Sequence, residues 1–117
     1  MTKPAVFLSS ASYPSTMPDC STTSGATCTV QTTDGSPIQI TAMDLQFHEA
    51  LGVCQQRLYI TDGSKNSEIG CGENNNFEKK IIYKSTESSI EIRLDNTATT
   101  STGKFWIQIE GNLSCSF

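Results

Sequence analysis

The sequence predicts an all-β fold, a jelly-roll β-sandwich of two mostly antiparallel sheets. Short runs of strand-forming residues recur at intervals of about ten residues, separated by turn signals. No segment keeps the 3.6-residue apolar repeat of an amphipathic helix for more than two turns. Ser and Thr are abundant and only 17% of residues are charged, which favours strands and turns. Because 117 residues suffice for one core, residues 1–117 are interpreted as a single domain.

The segment before Cys28 is rich in Ser, Thr and Pro. Its one apolar cluster, Val6-Phe7-Leu8, predicts a short edge strand that is followed by a long loop. Beyond Cys28, the Asp34-Gly35 turn signal lies between Val30 and the alternating pair Ile38 and Ile40, a pattern that predicts a β-hairpin.

Two apolar phases meet within the following strand. Ile38, Ile40 and Ala42 occupy even positions, whereas the next apolar residues, Met43, Leu45 and Phe47, occupy odd ones. Since one extra residue turns every later side chain to the other face, we expect a β-bulge near Met43.

Four further strands are predicted in the second half of the chain. The first ends at the Asp62-Gly63 turn signal, and the last two alternate strictly, so each has one buried and one solvent-facing side. Their apolar residues are Leu58 and Ile60, then Ile81 and Ile82, then Ile90, Ile92 and Leu94, and finally Phe105, Ile107 and Ile109.

The charge and hydropathy of the sequence argue against nucleic acids and membranes as partners. The formal net charge is -4, with 12 acidic and 8 basic residues, so the basic surface of a nucleic-acid or anionic-membrane binder is not expected. No apolar run approaches the roughly 20 residues that span a bilayer, which predicts no membrane insertion. The opening residues form too short an apolar segment for a secretory signal. Five cysteines nevertheless favour an oxidising compartment, so we interpret the chain as a mature fragment of a secreted or surface protein.

Four motifs together resemble a CUB domain. They are the Ser9 to Pro14 entry, Cys28 with Val30, the stretch from Cys54 through Asp62-Gly63 to Cys71-Gly72, and Gly103-Lys104-Phe105. The resemblance covers residues 9–110 and leaves 111–117 as a C-terminal tail. It implies a jelly-roll β-sandwich of an extracellular protein, similar in size to the single-domain spermadhesins.

The cysteines are interpreted as structural. A zinc site needs four ligands, and a redox centre of this kind needs a Cys-x-x-Cys motif. Because neither pattern is present, Cys54 and Cys71 are predicted to form a disulfide. A Cys20–Cys28 bridge is also expected, although Cys115 is equally able to take either partner. The fifth thiol is then free or paired outside the chain, and Cys115 is a candidate link to another subunit or domain.

No enzyme is predicted. His48 is the only histidine, and neither a Gly-x-Ser-x-Gly elbow nor a phosphate-cradling glycine loop accompanies it. A glycosidase pair such as Glu49 with Asp95 is disfavoured because a small sandwich offers no evident cleft.

The resemblance to CUB domains implies a calcium site. Glu49 lies where the first ligand of a calcium-binding CUB domain is expected. Gln56 takes the place of the second ligand, an Asp, and the third is expected near Asn96 or Thr97, with Asp95 offset by one or two residues. Because calcium affinity follows the charge of its ligands, calcium is disfavoured and no cofactor is expected. Alternatively, Glu49 and Asp95 are solvent-exposed charged residues of loops with no ligand.

Aromatic residues supply the remaining binding candidates. Trp106 and Tyr59 are out of phase with their buried neighbours and are therefore predicted on outer strand faces, where exposed aromatics often contact ligands. Alternatively, a loop covers Trp106, or it packs on Tyr59. Asn112-Leu113-Ser114 is an N-glycosylation sequon.

These observations favour an extracellular recognition module that binds protein or carbohydrate without catalysis. The rival interpretation is an accessory or structural domain of a larger secreted protein, such as an extracellular protease or a matrix component.

Overall fold

The computed structural model describes residues 5–10, 13–16, 27–71 and 79–116, with the backbone alone for residues 115 and 116. Within these ranges there is no helix, and so none that is long and apolar enough to cross a membrane. The strands are β1 (Ala5–Ser9), β2 (Thr27–Gln31), β3 (Gln39–Gln46), β4 (Glu49–Ala50), β5 (Val53–Cys54), β6 (Gln56–Asp62), β7 (Lys65–Ile69), β8 (Lys80–Lys84), β9 (Ser89–Asn96), β10 (Lys104–Glu110) and β11 (Asn112–Ser116).

Two antiparallel sheets pack face to face, which confirms the predicted all-β sandwich. Sheet A has the order β1-β10-β3-β8, and sheet B has the order β11-β2-β9-β6-β7, while β4 and β5 form a separate small hairpin. The core between the sheets contains Val30, Ile38, Ile40, Ala42, Leu45, Phe47, Leu58, Ile60, Ile69, Ile90, Ile92, Leu94, Phe105, Ile107 and Ile109. The two strictly alternating strands, β9 and β10, bury their apolar positions as predicted.

The predicted β-bulge is present in β3. Trp106 of β10 pairs with Asp44, but the next residue, Ile107, pairs with Ala42, so Met43 is the extra residue. The bulge lets both Ala42 and Leu45 reach the core, which explains the change of phase in the sequence.

The predicted hairpin around Asp34-Gly35 is wrong. A turn does occur there, with Gly35 at a φ of 77°, but β2 pairs with β9 and β11, whereas β3 pairs with β10 and β8. Val30 on β2 and Ile38, the residue just before β3, are both fully buried. The turn therefore connects the two layers of the sandwich and does not join neighbouring strands.

The segment that we described as a C-terminal tail is largely a strand. Residues 112–116 form β11, which pairs with β2 at the edge of sheet B, and Leu113 packs against the core. Because Leu113 is the only apolar residue between Gly111 and Cys115, the segment carries no alternation from which a strand could be predicted.

Asp62 links the two sheets at the end of β6. Its buried carboxylate accepts hydrogen bonds from the Tyr83 hydroxyl (2.7 Å), the Thr86 amide (2.8 Å) and the Glu87 amide (3.0 Å). Burial raises the pKa of Asp62, but these hydrogen bonds together hold it below its ordinary value of 3.8. The charged carboxylate is therefore a structural group that holds the β8–β9 connection against β6.

We expect Asp62→Asn to cost about 2 kcal/mol of unfolding free energy near neutral pH, because an amide NH2 replaces an acceptor that faces N–H donors. Since folding lowers the pKa, the carboxylate stabilises the fold above its unfolded pKa of 3.8, and this contribution is lost as pH falls through the folded pKa. Urea unfolding near pH 7 and about pH 3 should show the gap between wild type and variant narrowing in acid. A gap that is equal at both pH values would contradict this role. Glu91→Gln, an exposed change on β9, is the control at neutral pH.

Candidate recognition surface

The four residues predicted to bind ligand do not form one site. Tyr59 on β6 and Asp95 on β9 belong to sheet B, and Trp106 belongs to sheet A. Glu49 lies on the small β4–β5 hairpin. These residues therefore belong to separate surfaces.

On the outer face of sheet B, charged side chains surround Tyr59. The Arg93 guanidinium lies 4.8 Å from the centre of the Tyr59 ring. Arg57 is the register partner of Asp95, and its Nη1 lies 3.6 Å from Glu68 Oε2. Tyr59 is thus stacked by a cation within a face of mixed charge, and among the described residues no second aromatic ring packs against it.

On the outer face of sheet A, Trp106 forms an aromatic cluster with Phe7 and Tyr13. The Trp106 ring centroid lies 5.6 Å from that of Phe7 and 6.1 Å from that of Tyr13, in tilted arrangements. Phe105, Ile107 and Ile109 are buried, so the indole faces outward, as its phase predicts. Of the two alternatives for Trp106, contact with a loop occurs through Tyr13. The other, packing on Tyr59, is wrong because Tyr59 lies on the other sheet.

Polar side chains hold the cluster in place. The Tyr13 hydroxyl donates to Asp44 Oδ2 (2.6 Å), and Gln46 Nε2 donates to Asp44 Oδ1 (2.8 Å). The hydrogen bond to Asp44 is the main cause that raises the pKa of Tyr13, so the phenol remains protonated. Lys104 Nζ donates to the Pro14 carbonyl (3.1 Å) and lies 6.0 Å from the Tyr13 ring centre. Phe7, which is 54% exposed, extends the cluster into solvent.

A depression of about 470 Å³ lies at the adjoining end of the sandwich. We call it the end depression. The His48 ring lies there, with Nδ1 3.2 Å from the Thr102 hydroxyl, and the exposed Glu49 stands at its rim. Its lining consists of Thr16, Leu45, Gln46, Phe47, His48, Glu49, Thr102, Gly103 and Lys104. Lys104 and Gln46 connect it to the aromatic cluster.

Beside this depression, buried amides fill the place where a calcium site is implied. The fully buried Gln56 accepts from the His48 amide through Oε1 (2.9 Å). Its Nε2 donates to Asn96 Oδ1 (3.2 Å) and to the Thr102 carbonyl (2.8 Å). Asn96 Oδ1 also accepts from the Ala98 amide (3.0 Å).

This donor set does not fit calcium. Both amide oxygens already accept protein N–H donors, and the cluster contains no carboxylate charge, on which calcium affinity depends. Glu49 lies outside the cluster on β4, and Asp95 lies opposite Arg57. Gln56 instead joins three segments of the chain by hydrogen bonds.

The predicted disulfide between Cys54 and Cys71 is confirmed, with Cα atoms 5.6 Å apart. Cys28 is also disulfide-bonded. Cys20, its predicted partner, lies outside the described residues. The backbone of Cys115 lies opposite Cys28 in the β2–β11 register, so the alternative partner remains open. Asn112 is exposed at the start of β11, and its glycosylation stays a prediction.

One exposed feature was not predicted from the sequence. The two-residue turn Leu51-Gly52 joins β4 to β5, and we call residues 49–54 the tip hairpin. Leu51 is fully exposed and Val53 is 59% exposed. The turn lacks the Asn-Gly or Asp-Gly pair that marks such hairpins. The sequence offers only Gly52 as a turn residue here, and a single glycine after Leu51 does not predict a hairpin.

No family model matches this chain. No significant match is found among curated proteins either. The resemblance to CUB domains therefore stays a prediction that rests on the sequence motifs.

Proposed function

We propose that this chain is a non-catalytic recognition module of the extracellular space, related to CUB domains, which binds protein or carbohydrate ligands through the aromatic cluster. The observation that carries the proposal is the grouping of Trp106, Phe7 and Tyr13 on the outer face of sheet A. Tilted rings beside fixed polar groups offer a rigid apolar platform with hydrogen-bonding edges, which is the composition of binding hot spots. The disulfide supports an oxidising compartment.

The polar groups beside the rings favour a ligand that is itself partly polar. Asp44 and Gln46 form a hydrogen-bonded pair, and Gln108 is the register partner of Phe7. Sugars combine an apolar ring face with hydroxyl groups, so they complement such a surface, and an exposed loop of a protein does so as well. Lys104 and Glu110 alternate with the buried residues of β10, and Asp44 is the register partner of Trp106. This mixture of signs on the face selects neither a strongly acidic nor a strongly basic ligand.

The test is a binding screen of the whole chain against arrays of oligosaccharides and of extracellular protein domains. We expect at least one class of probe to bind, and Trp106→Ala to weaken that binding by at least about tenfold, because central aromatic residues dominate such contacts. The matched control is Tyr59→Ala on the opposite sheet, which should leave the affinity within about twofold. If Tyr59→Ala abolished binding and Trp106→Ala did not, the ligand would bind sheet B and the proposed surface would be wrong. Far-ultraviolet circular dichroism of both variants checks that the fold is kept.

A further inference from the structure

The tip hairpin exposes an apolar side chain to solvent from a residue whose backbone conformation is itself unfavourable. Leu51 is 103% exposed relative to its reference state, and both turn residues have positive φ, 52° at Leu51 and 79° at Gly52. Branched side chains rarely adopt this left-handed region, where Asn or Asp usually precedes Gly. A leucine that is both strained and fully exposed indicates a contact made outside its own molecule.

The base of the hairpin is tied to the sandwich. Cys54 is bonded to Cys71, the Gln55 amide donates to the His48 carbonyl (2.9 Å), and Arg57 Nη2 donates to the Cys54 carbonyl (2.5 Å). These contacts fix the base from which the Leu51-Gly52 turn projects, which limits the backbone entropy lost on binding.

A receiving surface lies at the same end of the molecule. Glu49 belongs both to the tip hairpin and to the rim of the end depression, whose floor includes Leu45 and Phe47. With a volume of about 470 Å³, the depression is larger than a leucine side chain requires. Lys104 and Glu49 both belong to its lining, so in a contact between two copies Lys104 of one copy can face the oppositely charged Glu49 of the other.

A protruding leucine, an adjacent socket and opposite charges are the parts that a two-fold interface needs, since each copy must offer both halves of the contact. We propose that two copies of this chain associate end to end, with Leu51 of each copy in the end depression of the other. Glu49 of one copy then faces Lys104 of its partner. A membrane is a poorer occupant, because Glu49 and a net charge of -4 oppose approach to anionic headgroups.

Sedimentation equilibrium of the whole chain tests the association. We expect the average mass to rise above the 12.7 kDa monomer as the concentration increases from about 10 µM to about 1 mM, a range suited to a small interface. Leu51→Asn should raise the dimer dissociation constant at least about tenfold. Since Asn-Gly suits this turn, the variant should fold at least as well as wild type, so loss of the dimer would not reflect unfolding.

A charge exchange tests the orientation. Glu49→Lys and Lys104→Glu should each weaken the dimer by roughly fivefold, and the double variant should recover to within about twofold of wild type. A wild type that stays monomeric at about 1 mM, or a Leu51→Asn variant that dimerises equally well, would overturn the proposal. So would Leu51-dependent binding of the monomer to phosphatidylcholine vesicles, which would assign the hairpin to a membrane instead. Trp106→Ala should dimerise like wild type, so this test is independent of the proposed ligand surface.

Discussion

Gly103→Ala is expected to lower the free energy of unfolding by about 4 kcal/mol. Gly103 has a φ of 71°, and a Cβ atom at this position would overlap the side-chain amide of Gln56. That amide has no room to withdraw, because Gln56 is fully buried and makes hydrogen bonds to His48, Asn96 and Thr102. The substitution therefore adds backbone strain and also breaks a buried polar cluster. Urea unfolding monitored by Trp106 fluorescence measures the loss.

Gly35→Ala is the matched control for this prediction. Gly35 has a similar φ of 77°, but a Cβ atom there would meet nothing within 4 Å, so we expect a cost of about 1 kcal/mol from strain alone. A double-mutant cycle separates the two causes. In a Gln56→Ala background, Gly103→Ala should cost no more than Gly35→Ala does, because the overlapping amide is gone. An undiminished cost in that background would show that Gln56 is not responsible.

Replacing both Cys54 and Cys71 by Ala is expected to cost about 3 kcal/mol, because the bridge closes a loop whose ends are 17 residues apart and thereby restricts the unfolded chain. The denaturant dependence of unfolding should steepen, since the unfolded state of the variant is less compact. A loss of less than about 1 kcal/mol with an unchanged slope would contradict this account.

The same variant should also loosen the tip hairpin, because Cys54 lies in β5. Hydrogen exchange of the Val53 and Gln55 amides should accelerate, whereas the amide of Ile92, in the central strand β9, reports only the global stability. Equal acceleration at all three amides would show that the bridge acts on the whole domain and not on the hairpin.

Much of the fold was predictable because it depends on local periodicity. The alternation in β9 and β10 identified their buried faces, and the change of phase at Met43 located the bulge. Side-chain alternation has a period of two, so a single strand carries this information within itself. The Cys54–Cys71 bridge was likewise predictable, because the sequence around these two cysteines lacks the patterns of a metal or redox site.

The candidate surface was only partly predictable. The phase of Trp106 showed that its ring faces outward. Its partners Phe7 and Tyr13, however, lie 99 and 93 positions earlier in the chain, one on β1 and one in the loop after it. Sequence alternation carries no information about such contacts. The Leu51-Gly52 turn was missed because its residues do not match the usual turn composition.

By itself, the sequence determined the all-β class, the buried face of the most regular strands, the bulge and the disulfide staple, since each depends on the order of nearby residues. Only the tertiary structure decided that β2 and β3 belong to different sheets, that Gln56 is locked among His48, Asn96 and Thr102, and that Phe7, Tyr13 and Trp106 form one cluster. The physical reason is that alternation specifies which side of a strand is buried, whereas strand partners are chosen by packing between residues far apart in the chain.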